Sequence, residues 1–351
     1  VAATIAVFDG HNDVLLRLHK SAEADPVRAF LDGTGGGQLD LPRARQGGFV
    51  GGLFAVFAPS PRRLDMARMR GETYAIPLPE PLPLADAQAS SLAMIAILLR
   101  IERASEGRVV ICRDTAQIRD AISRGALAVV LHVEGAEAID PEFHMLDVLH
   151  AAGLRSLGPV WSRPNIWGHG VPFRFPGSPD IGPGLTDAGQ ALVRACNQRR
   201  ILIDLSHLTE QGFWDVARLS QAPLVATHSN VHAISASPRN LTDRQLDAIR
   251  DSDGLVGLNF ATSMLRADGQ MRGDTDLEWM VRHVDALVRR LGESRVALGS
   301  DFDGAVIPSE IGSAAGIQAL FAALRRHGFG EPLLNRLGTG NWLDLLARTI
   351  G

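Results

Sequence analysis

Cysteine is nearly absent: Cys112 and Cys196 are the only two in 351 residues, so neither a disulfide-stapled scaffold nor a cysteine zinc knuckle can be built. Any metal must be held by His, Asp or Glu. Lysine is scarcer still, since Lys20 is the sole lysine among 35 basic residues, which removes Schiff-base and P-loop chemistry unless Lys20 itself serves. A basic surplus is missing too. The formal charge of −4 argues against a nucleic-acid partner, because neutralising phosphates needs a basic face, and favours a small molecule. No unbroken apolar run reaches the roughly 18 residues of a membrane span. With no charged-then-apolar leader or apolar tail in the sequence, the expectation is a soluble, cytoplasmic protein with no membrane partner, compatible with a homodimer.

What the chain does have is enough apolar material for a large core, with 46% hydrophobic against 21% charged residues. Disorder is excluded. Eight β-branched or aliphatic runs recur, at 4–8, 49–57, 126–133, 154–160, 200–205, 223–227, 254–260 and 295–300, and most are followed by a stretch of helical periodicity. Those helical stretches lie at about 86–105, 114–124, 141–152, 186–199, 209–220, 241–251, 275–291, 313–327 and 341–348. Eight alternations predict a single α/β domain over 1–351, a (β/α)8 TIM barrel of ~250 residues with the remainder in insertions. Two insertions stand out. Residues 58–85 are rich in proline, 161–185 are dense in Gly, Pro and aromatics, and they follow strands 2 and 4 at the end where barrels place site-shaping loops.

The ends of strands 1, 3, 5, 6 and 8 carry His11 with Asp13, Glu134, His207, His228, and Asp301 with Asp303. In a closed barrel these ends form one rim. His11 and Asp13 stand two apart, so on extended backbone both face the same way and can grip one ion. His207 and His228 each end an apolar run, 21 residues apart, which leaves room for one helix between successive strands; neutral imidazole is a common zinc ligand. Glu134 ends a strand that would bury it, and a buried carboxylate needs a cation beside it. Barrel hydrolases often bridge two metals with a carboxylated lysine, but Lys20 lies in the helix after strand 1, which makes Glu134 the best available bridge. Asp301, nearer its strand than Asp303, is the expected proton acceptor and donor. Arg239, on the loop past His228, is a candidate clamp for a substrate carboxylate.

The segments FDGHND, HVEGAEAI, ILIDLSH, APLVATHS, SASPRNLTD, GSDFDG and GTGNWLDLL resemble, in order, those of the membrane (renal) dipeptidases of the amidohydrolase superfamily. The resemblance implies a binuclear zinc site in which His11, Asp13 and Glu134 hold one ion and Glu134, His207 and His228 the other. It further implies that Asp301 shuttles a proton and that Arg239 binds the C-terminal carboxylate of a dipeptide. A hydroxide bridging the two Zn2+ ions would attack the amide, with tolerance of L-Xaa-D-Xaa substrates. Two positions depart from the mammalian pattern. Where those enzymes have a histidine that contacts the scissile carbonyl, this chain has Trp161, with His169 further along the loop as the alternative; where they have a tyrosine after strand 7, it has Ala261. A hydrolase of another bond on the same rim, such as a cyclic amide or phosphoester, or a silent metal-binding protein, are the competing readings.

Overall fold

Eight parallel strands form the frame, described by a computed structural model over residues 3–21 and 25–351. They are β1 (Val7–Asn12), β2 (Phe49–Phe57), β3 (Leu127–Glu134), β4 (Leu154–Gly158), β5 (Leu202–Ile203), β6 (Val225–Ala226), β7 (Leu255–Asn259) and β8 (Val296–Gly299). Their order across the sheet runs β5-β4-β3-β2-β1-β8-β7-β6. A bridge between Asp204 and Val225, with Leu205 N–H donating to the Val225 carbonyl at 2.8 Å, joins its two ends. The sheet is a (β/α)8 barrel.

Strand alternation divides the apolar residues into two cores. Leu127, Val129, Leu131 and Val133 of β3 face outward and pack with residues of the surrounding helices such as Met94, Leu146 and Leu192. Ala128 and Val130 face inward, where Phe8, Leu53, Leu202, Val225, Leu255 and Ala297 from six other strands meet Trp342. The same inward set, continued toward the C-terminal rim, contains His132 and Glu134 of β3, Asp204 after β5, Thr227 after β6 and Asn259 of β7. All are buried. The interior is therefore apolar at depth and polar at the mouth.

Several boundaries differ from the sequence reading. β1 covers 7–12 rather than 4–8, so His11 lies within a strand, and a register irregularity between Asp9 and Asn12 relative to β2 interrupts the regular alternation around it. Three short helices not expected from periodicity connect β1 to β2: Val14–Lys20, Pro26–Asp32 and Leu41–Gly47. Asp25 and Asp40 cap the latter two, each ahead of a proline in the first turn. An additional parallel strand, Val109–Ile111, pairs with the first half of β3. It is too short to show alternation.

The two insertions find each other. Tyr74–Ala75 from the segment after β2 pairs antiparallel with Arg174–Phe175 from the segment after β4. Met271, on the loop after β7, donates its N–H to the Met69 carbonyl at 2.8 Å, and the Tyr74 hydroxyl donates to the Gly269 carbonyl at 2.9 Å. Met69, Tyr74, Ile76 and Phe175 form a hydrophobic cluster of their own, apart from the barrel core. This makes a roof over the rim.

Helix Leu84–Ala104 modifies one expectation. Its 21 residues and mean hydropathy of 1.5 are sufficient for a membrane span by length and composition, although no unbroken apolar run is present. Its Ala87, Ser91, Met94, Ile95, Leu98 and Ile101 are buried, and it packs against Val14–Lys20, Pro26–Asp32 and β2.

Candidate metal centre and substrate cavity

The five ligand candidates converge at the mouth of the barrel. Glu134 Oε1 lies 3.0 Å from His207 Nε2, 3.3 Å from His228 Nε2 and 3.6 Å from His11 Nε2. His11 Nε2 is in turn 3.4 Å from Asp13 Oδ2, and the His11 and His228 rings stack with centroids 3.8 Å apart. Two sets of donor atoms lie close enough together to hold an ion each: His11, Glu134 and His228; and His11, Asp13 and Asp301. His207 joins the first through its contacts to Glu134 and to His228 Nε2, 3.3 Å away.

The electrostatics of this cluster call for cations. Both ring nitrogens of His11 and Asp13 Oδ1 are buried without a hydrogen-bond partner, a costly arrangement unless something else binds them. Burial pushes Glu134 well above the ordinary carboxylate range and raises Asp301 as well. Burial pulls His11 down, but the carboxylates of Glu134, Asp13 and Asp301 outweigh it and raise the ring to about 10. A proton on His11 is thus the substitute available when no other positive charge is present. Buried His207 and His228 are driven well below the usual histidine range, by desolvation and by the charges of Arg239 and His11. They are neutral, as a metal requires. Two neutral imidazoles, a third histidine with free nitrogens and adjacent carboxylates form a donor set suited to divalent transition metals.

Residues beneath the rim orient the ligands. Thr227 Oγ1 donates to Asp204 Oδ2 at 2.6 Å, so its remaining contact, 2.8 Å to His228 Nδ1, takes the ring's proton and leaves Nε2 with its lone pair toward Glu134. Ser162 Oγ stands 2.9 Å from His207 Nδ1. Neither Asp204 nor Ser162 is picked out by the sequence analysis. The Asp within LIDLSH was the available signal, since its place two residues past the inward-facing Leu202 puts it on the inward face. His132 lies in this inner layer too. Its Nδ1 is 2.8 Å from Ser156 Oγ and its ring meets His11 edge-on at 5.5 Å. Thr227→Val keeps the volume but removes the hydroxyl, and is expected to lower divalent-metal affinity about 10- to 100-fold. Competition against a chelator measures this, and an unchanged affinity would deprive Asp204 and Thr227 of the orienting role.

His207 and Asp301 both adopt left-handed backbone, with φ of 71° and 59°, a conformation that costs energy outside glycine and recurs where function requires a particular side-chain direction. Asp301 Oδ2 accepts from Asn259 Nδ2 at 3.1 Å. A side chain at Gly304 would collide with Asp301 Oδ1 and Asp13 Oδ2, so this glycine keeps the space between the two carboxylates open. Asp303 is committed elsewhere, accepting from Gln38 N–H at 2.6 Å and Arg17 Nε at 3.0 Å. Arg239 is buried beside the cluster. Its guanidinium reaches Ser229 Oγ at 3.4 Å and the His228 carbonyl at 3.1 Å, and its Nε has no partner.

A cavity of about 470 Å³ opens onto Asp13, Glu134, His207 and Asp301 beneath the roof, a size that suits a small ligand. Of the two residues considered for the carbonyl-contacting position, Trp161 lines this cavity, edge-on to Phe57 at 4.8 Å. His169 does not line it: its Nδ1 turns to the Gly184 carbonyl at 3.3 Å, because the insertion folds back there onto its own later residues. Ala261, at the position of the missing tyrosine, lines the cavity as well.

A barrel with buried histidines and carboxylates gathered at its C-terminal mouth, beside a cavity roofed by apolar residues, defines a metal-dependent hydrolase of the amidohydrolase type. The chain belongs to the membrane dipeptidases, peptidase family M19, whose family model matches residues 1–349; it is a metallo-dipeptidase. A crystal structure of a metallo-peptidase from Rhodobacter sphaeroides, liganded with a phosphinate mimic of the dipeptide L-Ala-D-Ala, is 54% identical, covers 99% of this chain and all of that one, and superposes with a TM-score of 0.97. Dipeptidase AC, an M19 metallo-peptidase, matches with the same identity, coverage and TM-score. A protein encoded in the pqqA 5′ region of Klebsiella pneumoniae is 48% identical over 252 residues, covering 72% of this chain and 93% of its own length.

Proposed function

We propose that this protein is a binuclear zinc dipeptidase that cleaves dipeptides with a free C-terminal carboxylate, L-Xaa-D-Xaa pairs included. The observation that carries the reading is the set of six side chains from five separate strand ends, His11, Asp13, Glu134, His207, His228 and Asp301, brought together with buried ligand atoms unpartnered. The phosphinate dipeptide mimic in the Rhodobacter relative supports the substrate class and the L,D stereochemistry. His11, Asp13 and Glu134 would hold one ion and Glu134, His207 and His228 the other, with Glu134 shared. When bound, zinc supplies a Lewis acid for the carbonyl oxygen and acidifies water toward a pKa of about 7.

The protein's own groups do the remaining work. Asp301, with one oxygen held by Asn259 and the other facing the gap at Gly304, takes the proton of the attacking water and returns it to the leaving amine. Burial raises its affinity for that proton, which suits a group that must both accept and release near neutrality. Arg239 pairs with the C-terminal carboxylate and fixes the scissile bond over Glu134. Trp161 and Phe57 close one side and limit water. Neither nucleic acid nor a membrane is needed for this reaction.

Arg239→Met is expected to raise KM for free-carboxylate dipeptides by about 10- to 100-fold, the loss of one charge-assisted pair, with C-amidated analogues little affected. An equal effect on both would remove the clamp role. The whole reading is tested by hydrolysis of L,L and L,D dipeptides by zinc-reconstituted protein, beside a cyclic amide and a phosphodiester. Turnover of the latter two alone would replace it.

A further inference from the structure

The cavity holds an unusual concentration of one residue type. Met66, Met69, Met264 and Met271 line it, four of the seven methionines in the chain. Met66 and Met69 come from the insertion after β2, and Met264 and Met271 from the segment after β7. They are joined where Met271 N–H meets the Met69 carbonyl. Phe57, Trp161 and Phe173 complete the apolar side, Trp161 standing edge-on to Phe173 at 5.5 Å. Thioether side chains are unbranched and polarisable, so a wall made of them reshapes around different apolar groups at low cost.

The charged groups that line the cavity are all acidic: Asp13, Glu134, Asp301 and Asp303. The first three belong to the metal centre, and Asp303 is satisfied by Arg17, Gln38 and Leu39. Among the described residues no Lys or Arg lines the cavity, and Arg239, buried beside the metal cluster, is assigned to the C-terminal carboxylate, so an acidic substrate side chain would find no charge partner among the lining residues and would lose its water. Ala261 presents only a methyl group to the cavity. An opening of about 470 Å³ thus has space under the roof beyond what two methyl side chains fill.

We propose that the methionine-lined roof forms an adaptable apolar subsite, and that the preferred substrates are dipeptides carrying one large apolar side chain, of the leucyl, methionyl or phenylalanyl kind, rather than alanyl-alanine. This rests on the dipeptidase reading above and specifies its substrate class. The roof cluster is separate from the barrel core, so changes in it leave the frame and the metal ligands in place.

The test compares kcat/KM of the zinc-loaded full chain on Ala-Ala with that on Ala-Phe, Phe-Ala, Ala-Leu, Leu-Ala and Ala-Glu. In at least one order the bulky apolar substrate is expected to exceed Ala-Ala by about tenfold or more, with Ala-Glu below both. The double substitution Met66→Ala with Met271→Ala is expected to remove most of that advantage, and Met66→Leu to retain it. A second, independent variant, Ala261→Trp, fills the space and is expected to abolish the advantage as well. Equal efficiencies for Ala-Ala and the bulky pairs, or an advantage that survives both the double variant and Ala261→Trp, would overturn the subsite while leaving the dipeptidase reading intact. Failure to cleave any dipeptide would overturn both.

Discussion

Replacing His207 by alanine is expected to lower turnover by at least about a hundredfold while the barrel remains folded. Its Nε2 is 3.0 Å from Glu134 Oε1, so its loss removes one ligand from the metal site, a larger change than the loss of an outer-shell partner, which already costs up to about a hundredfold. Stability is governed elsewhere, because the imidazole belongs to the polar mouth and not to either apolar core. The left-handed backbone at this position, with φ of 71°, is already carried by a residue with a Cβ, so alanine adds no new Cβ clash there. His207→Asn is the matched control, because asparagine tolerates the left-handed region. Metal content by elemental analysis, thermal unfolding and dipeptide turnover should be read together. Near-normal rates in metal-defined buffer would contradict the assignment.

Asp301→Asn carries the second large effect. The substitution is isosteric and asparagine accepts the φ of 59°. Its side-chain carbonyl can still accept from Asn259, which donates at 3.1 Å to Asp301. What disappears is the ability to take and return a proton, for which general acid–base catalysis typically supplies about 10²- to 10⁴-fold. The variant is expected to lose that much in kcat with KM little changed, and to remain folded, since it removes one of several crowded buried carboxylates. A kcat within tenfold of the parent would show that the proton travels by another group.

The gathering of His11, Glu134, His207, His228 and Asp301 at one rim was legible because a parallel barrel gives a strand's end a meaning: each could be located by where an apolar run stops. Distances among them were not legible. His11 shows why, as the irregularity in β1 that surrounds it depends on pairing with β2, and pairing is a long-range property. The choice between Trp161 and His169 likewise turned on a fold-back within the insertion, where His169 meets Gly184. No local pattern encodes that contact.

Residue type and periodicity determined by themselves the metal chemistry on His and carboxylate, the alternation of strands and helices, and the two insertions beside the rim. Only the tertiary structure decided that Asp204 and Thr227 hold His228 with Nε2 toward Glu134, and that the two insertions pair with each other. The physical reason is range. Alternation and apolar runs are written over a few consecutive residues, whereas a hydrogen bond from Thr227 to Asp204 or a strand pair between Tyr74 and Phe175 exists only after closure of the barrel has brought distant backbone together.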